Sequence, residues 1–362
     1  MKTATSWELL ALSHSSTTQR TEVSVPIELD MDAYVVVAGA GGFIGGHLVS
    51  RLLEDGYKKI RAVDNKPIGQ WYQRPAGVDY VQTDLRLLDS CREAVDGARY
   101  IFDFAADMGG MGFIEYHKAD CMLSVLIATH LLVAAREKGT TERLFFSSSA
   151  CVYNAEKQGD PKVTALKEED AYPALAEDGY GWEKLFTERM CRHFDEEFGI
   201  TTRIARFHNV YGPNGTWNGV RAKAPAAICR KVAEAKMGGT SEIEIWGDGE
   251  QTRSFMYIDD CVEGVMRITA GDYGDPLNLG STELVSVNQL VDMIESIAGV
   301  KLRRNYNLAA PQGVRGRNSD NTRLVREIGW EPQISLMEGL ERTYRWIYDE
   351  ISHGRRDVAE AS

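Results

Sequence analysis

The chain has 362 residues, 43% hydrophobic and 26% charged, a globular composition that excludes disordered, collagen-like and small disulfide-stapled proteins. Forty-one basic residues face 53 acidic ones, a net charge of −12, so no global positive field exists to hold a nucleic-acid backbone or an anionic membrane. Any anionic ligand must meet local positive charge.

Residues 1–31 are rich in Ser and Thr, lack a sustained period and read as an arm ahead of the fold. They carry no apolar stretch of signal-peptide length, and no later run approaches the ~20 residues of a membrane span, so a cytoplasmic protein is expected. From Ala33 the pattern changes. Tyr34, Val35, Val36 and Val37 form a short strand-like run, a glycine loop follows, and Ile44, Leu48 and Leu52 recur at helical spacing. Further strand signals lie at residues 60–63, 100–104, 144–146 and 203–207, separated by helical stretches such as 122–136 and 183–198. Strands alternating with helices predict an α/β fold, a Rossmann-type doubly wound parallel sheet covered on both faces. After Asn209 the turn-dense YGPNGTWNG opens a smaller C-terminal α/β substrate region. The expected division is 32–209 for the first domain, 210–239 and 276–352 for the second, and 353–362 for a polar tail. Apolar segments at 242–245 and 255–258 are read as return strands, giving the first domain a second piece at about 240–275.

The glycines at 39, 42 and 45 suit a tight turn, close approach of backbone to a pyrophosphate and close packing of helix on strand. Asp64 lies 19 residues beyond Gly45 at the end of the next strand signal; a carboxylate there accepts from a ribose 2′-hydroxyl and repels a 2′-phosphate, which favours NAD. Tyr180 and Lys184 share a helix face at i,i+4, and a nearby ammonium is expected to lower the phenol pKa and make the tyrosine a base. Ser149 and Cys151 follow the strand at 144, about 30 residues upstream. Arg221, Lys223, Arg230 and Lys231 form a basic run with no acidic residue among them, and Pro225 suits the first turn of a helix there. The six cysteines, at 91, 121, 151, 191, 229 and 261, never form Cys-x-x-Cys and never meet a His at ligand spacing, so reduced packing thiols and no metal are expected. His47 reads as a packing or surface histidine, and His208 fits either a structural role or substrate contact.

These segments, GAGGFIGGHL, FDFAADMGGMGF, SSSACVY, YGWEK, RFHNVYGPNGTWNGVRAKAPAAICRK, WGDGEQTRSF and GVRGRNSDN, cover roughly residues 33–350. The chain resembles the extended short-chain dehydrogenase/reductases acting on nucleotide sugars, and among them the GDP-mannose 3,5-epimerases. That resemblance implies NAD held by Gly39, Gly42, Phe43, Ile44 and Gly45, with Asp64 and Asp84 at its adenosine half and Tyr180 and Lys184 at the nicotinamide. It implies Ser149 at the sugar hydroxyl that is oxidised, Cys151 as the group that removes a proton, and Lys223 as its counterpart on the opposite face. Gly109, Ala150, Asn209, Lys231, Gln251, Arg253 and Arg317 fall at positions that hold the sugar nucleotide, GDP-mannose or a relative. It also implies a homodimer paired through helices near 122–136 and 183–198.

The chemistry of such a reaction explains the residue types. A hydrogen on a sugar carbon flanked by hydroxyls is not acidic, whereas a ketone at carbon 4 makes the hydrogens on carbons 3 and 5 removable as enolates; one group then takes a proton and another delivers one to the other face. A 4,6-dehydratase is the first rival and calls for an acidic pair where Ala150 and Cys151 stand. A 4-epimerase has no use for the Cys/Lys pair. A catalytically silent NAD-binding regulator is the rival outside enzymes. Ser124, where the extended family usually has Asn, and Ala222, where some epimerases carry an acidic residue, depart from the pattern.

Overall fold

The computed structural model describes residues 28–355, so most of the arm expected at 1–31 and of the tail at 353–362 lies outside the described residues. Strands β1 (Tyr34–Ala38), β2 (Lys59–Asp64), β3 (Asp79–Gln82), β4 (Tyr100–Asp103), β5 (Arg143–Ser149) and β6 (Thr201–Phe207) join one seven-stranded sheet. Its seventh strand, β11 (Leu277–Leu279), arrives after β7 (Val210–Tyr211), β8 (Glu242–Trp246), β9 (Thr252–Ser254) and β10 (Met256–Tyr257). The order is β11-β6-β5-β4-β1-β2-β3 with every pairing parallel. A parallel sheet buries both faces, and β1 shows how: Val35 and Val37 enter one apolar core, Val36 and Ala38 the other, as the two-residue period of a strand demands.

The first face is covered by α1 (Phe43–Glu54) and α8 (Ile258–Ala270), the second by α2 (Leu88–Ala94), α5 (Val125–Lys138) and α6 (Asp178–Phe198). Short helices α3 (Met111–Ile114) and α4 (Lys118–Leu123) precede α5. Ser124 keeps a helical backbone between α4 and α5, so Lys118–Lys138 is a 21-residue stretch whose length and apolar content reach those of a membrane span. This exceeds what the sequence suggested. The stretch packs on α2 and α6, while Met122 and Leu123 stay exposed, so its apolar residues serve more than one side.

The remaining elements build the smaller region: α7 (Ala224–Gly238), β12 (Leu284–Ser286), α9 (Val287–Ala298), β13 (Arg303–Asn307), β14 (Gly316–Arg317), α10 (Thr322–Ile328) and α11 (Leu336–Ser352). The strands expected to return to the first sheet do not. β8 pairs with β13 and β10 with β7, and it is α8 and β11, residues 258–279, that rejoin the large sheet. Alternation in EIEIW fits any half-buried strand and carries no address for its partner.

Candidate active site

Gly39 leaves β1 with φ +80°, and a Cβ there would lie 2.7 Å from Ala105 N; a Cβ on Gly45 would lie 2.4 Å from Gly39 O. Both contacts are with backbone, so only glycine lets α1 start this close to the sheet. The loop sits where the strand order reverses between β1 and β4, the crevice in which open α/β sheets take ligands. Asp64 ends β2 beside it and accepts from Gly41 N at 3.0 Å and Lys66 N at 2.9 Å. Burial pushes the Asp64 carboxyl up, against the backbone N–H groups of Lys66, Gly41 and Asn65. Asp84 is held by Arg86 at 2.7 Å, which keeps its carboxyl below the usual range. A cradle that a Cβ would fill, with a carboxylate at the second strand end, fits a dinucleotide.

The cradle opens into a cavity of about 800 Å³, and every residue the sequence assigned to catalysis, cofactor or substrate lines it. They come from both regions. β5 ends at Ser149, whose Oγ accepts from Cys151 N at 3.2 Å; α6 begins beside it, with Glu177 N donating to Cys151 O at 2.9 Å. A Cβ on Gly181 would lie 2.3 Å from that same carbonyl, so the glycine between Tyr180 and the rest of α6 allows the contact. Ser148 donates to Glu188 at 2.5 Å and Arg206 grips the same carboxylate at 2.7 and 2.9 Å. This buried group locks α6 onto β5 and β6, and through them sets where Tyr180 stands.

Tyr180 differs from its expectation. Burial raises its phenol well above the ordinary value, the Cys151 and Glu183 charges add to that, and only a hydrogen bond from Ser149 opposes it. Lys184 does not offset this: it is 1% exposed, and its Nζ lies 4.6 Å from the Phe146 ring centroid, 5.6 Å from the Tyr180 ring centroid and 3.8 Å from Glu183. Burial pushes Glu183 up to about 7 and Asp103, at the end of β4, up to about 6. Three buried ionisable groups therefore stand behind the tyrosine.

On the opposite wall Lys223 caps the N-terminus of α7, with Pro225 in the first turn. Burial lowers the lysine below its ordinary range and the nearby Cys151 sulfur opposes that shift. The rest of the basic run is largely neutralised: Arg221 pairs with Asp107 at 2.9 Å, Arg230 with Glu234 at 2.7 Å and Lys231 with Glu244 at 3.4 Å. Among the described residues no ion pair is made by Lys223. Arg253 donates to the carbonyls of Thr252 and Val314, and burial lowers it to about 10. Gln251 donates to Trp246 O at 2.9 Å while its own Oε1 has no protein partner. Asn209, at φ +32°, donates to Ser254 O.

The loop carrying Gly109 is clamped to the second region. A Cβ on Gly109 would meet Phe113 Cβ at 2.9 Å and Arg221 Cγ at 3.0 Å, and one on Gly110 would meet Ala222 O at 2.5 Å. Arg221 donates to Met108 O at 2.8 Å and lies 3.5 Å over the Phe113 ring. Ser124 Oγ accepts from Asp107 N at 2.9 Å, so this departure still anchors the loop. The histidines are structural: His47 Nε2 bonds Pro213 O at 2.9 Å, and His208, fully buried, meets Asn278 Oδ1 at 3.0 Å. Glu177 and Gln158 carry the site's geometry with no motif to announce them.

A family model described as the NAD dependent epimerase/dehydratase family matches residues 35–280. The GDP-mannose 3,5-epimerase of Arabidopsis thaliana is 44% identical over 91% of this chain and 85% of its own length; GDP-mannose 3,5-epimerase 1 of Oryza sativa subsp. japonica is 45% identical over 88% and 82%. The UDP-glucose 4-epimerase of Thermotoga maritima, solved with UDP-glucose, superposes with a TM-score of 0.79 at 25% identity, covering 88% of this chain and 99% of that one. With its glycine cradle, Tyr/Lys pair and seven-stranded sheet in place, the chain belongs to the NAD dependent epimerase/dehydratase family.

Proposed function

We propose that this chain inverts GDP-mannose at carbons 3 and 5, giving GDP-L-galactose and the 5-epimer GDP-L-gulose. The observation that carries the reading is the pairing of Cys151 with Lys223 across one cavity that also holds Ser149, Tyr180 and Lys184. Relatives 44% and 45% identical bear the name of that activity. NAD, which the cradle residues fit, supplies when bound a reversible hydride acceptor for carbon 4, so the net reaction is redox-neutral.

The chain's own residues handle protons. Ser149 and Tyr180 meet the carbon-4 hydroxyl. Tyr180 takes the hydroxyl proton as carbon 4 is oxidised and returns it to the same oxygen on reduction; burial favours the protonated phenol, so the base step would draw on the positive charge that bound NAD would bring beside it. A carbonyl at carbon 4 makes the neighbouring hydrogens acidic; Cys151 takes one, and Lys223 gives one from the other face. Each such step is worth roughly 10²- to 10⁴-fold in rate. Ala150 and Cys151, where a dehydratase calls for an acidic pair, disfavour dehydration, and a 4-epimerase leaves the Cys/Lys pair without work.

Proton NMR of GDP-mannose with the purified protein in deuterium oxide tests this. Deuterium at carbons 3 and 5 with new galactose or gulose signals is expected. A 4-keto-6-deoxy product instead means dehydratase, and no exchange on any sugar nucleotide despite bound NAD means a regulator.

We also propose a homodimer. Trp182 and Phe186, one helical turn apart on α6, are 43% and 56% exposed, and Met122 and Leu123 on the adjoining α4 are 48% and 44% exposed. An apolar surface shared by two packed helices suits a second copy of itself. Sedimentation velocity should give a dimer, and Phe186→Glu should give monomers.

A further inference from the structure

Arg317 enters the cavity from β14 and is 7% exposed. Its neighbour Gly316 sits so near the 160 loop that a Cβ would lie 2.2 Å from Asp160 O, which seats the arginine deep. The sequence resemblance gives this side chain to the sugar nucleotide, yet its fork is already engaged by the protein. Nε donates to Gln158 Oε1 at 2.7 Å, Nη2 pairs with Glu177 Oε1, and Nη1 meets Cys151 Sγ at 3.6 Å.

We propose that Arg317 is a catalytic partner of Cys151, its Nη1 donating to the sulfur and stabilising the negative charge there, with Glu177 and Gln158 as positioning residues for the fork. The guanidinium is planar and rigid, so two held edges fix where the third points. A buried cation needs a counter-charge, and Glu177 provides it without touching the sulfur. Lys223 and Arg253 face the same thiol through space, adding positive field at the sulfur. Protons balance simply. The S–H proton leaves to solvent, the thiolate takes a carbon-bound hydrogen as a proton and becomes S–H again, while Arg317 keeps all of its N–H groups throughout.

This deepens the reading of Cys151 as the proton-removing group, and its test needs no sugar nucleotide, so failure of the epimerase reading would show separately. Iodoacetamide labelling of Cys151 at pH 7.5 is followed by peptide mass spectrometry, with Cys151→Ser as the blank for the other cysteines. Arg317→Gln should slow labelling at least tenfold. Glu177→Ala should slow it several-fold, and Glu177→Gln, which keeps an acceptor for Nη2 but not the counter-charge, should slow it less than Glu177→Ala does. With GDP-mannose, kcat should fall in step with labelling while KM shifts less than threefold. Unchanged labelling in Arg317→Gln with KM raised tenfold would overturn the proposal and put the arginine on the substrate diphosphate. Should Arg317→Gln fail to fold, unchanged labelling in Glu177→Ala overturns it instead.

Discussion

A lysine at a helix N-cap feels the positive end of the helix as well as its own burial, and Lys223 experiences both. Both favour the neutral amine, and the Cys151 sulfur opposite pulls the other way, which leaves a group able to give and take a proton. Lys223→Met keeps most of the shape and removes the proton. It should cut epimer formation by roughly 10²- to 10⁴-fold while deuterium still washes into recovered GDP-mannose from the Cys151 face; inversion at the wild-type rate in a deuterium-oxide assay would remove the lysine from the mechanism. Asp103 makes a second residue-scale prediction. Its carboxyl is raised from 3.8 to about 6 by burial, so the stability it contributes is full below pH 3.8 and is lost as pH rises to about 6. Asp103→Asn does not titrate, so urea midpoints should show the variant gaining on wild type between pH 4 and 6 and keeping that gain above. At about 1.4 kcal/mol per pKa unit the gain is on the order of 2–3 kcal/mol. Neither this shift nor that of Tyr180 was legible in the sequence: the i,i+4 spacing of Tyr180 and Lys184 is local, whereas the burial that overrules it comes from Phe113, Ile114, Cys121 and Cys151, remote in sequence.

Helix α6 is the element that assembles the site, since it carries Glu177 at its N-cap, then Tyr180 and Lys184, and is tied down by Glu188. Removing one partner of a buried ion pair strands the other, so Glu188→Ala should cost roughly 3–5 kcal/mol in urea denaturation. Gly181→Ala acts differently: its Cβ would strike Cys151 O, an overpacking cost of about 1–3 kcal/mol that also moves Tyr180 from Ser149. It should therefore lower kcat by more than its stability loss explains. The strand-loop-helix of β1 and α1 and the Tyr/Lys helix were readable because each is written in contiguous residues. The partners of β8 and β10 were not, because strand pairing joins segments about 60 and 45 residues apart. The Glu177–Arg317 contact, which joins residues 140 apart, was invisible for the same reason.

For the whole molecule, the cavity exists only because two regions meet, and Arg221 is the clasp between them. Arg221→Ala loses an ion pair, a carbonyl bond and a cation–π contact worth about 0.5–1 kcal/mol at this partly exposed site. The expected result is a KM for the sugar nucleotide raised about tenfold with NAD affinity unchanged, read by initial rates and fluorescence titration; a matching loss of NAD affinity would mean that the clasp supports the cradle instead. The late return of β11 to the large sheet has a different consequence, for synthesis. β6 ends at Phe207 and its outer neighbour begins at Leu277, so on the ribosome the edge of β6 waits for roughly 70 further residues, about 4–14 s at 5–20 residues per second. During that interval a strand with a row of unpaired N–H and C=O groups stands open to any neighbouring nascent chain. The chain's yield in cells should therefore depend on what shields that edge before residue 279 emerges, and a truncation ending at 276 should aggregate even though every residue of the glycine cradle and the Tyr/Lys pair is present.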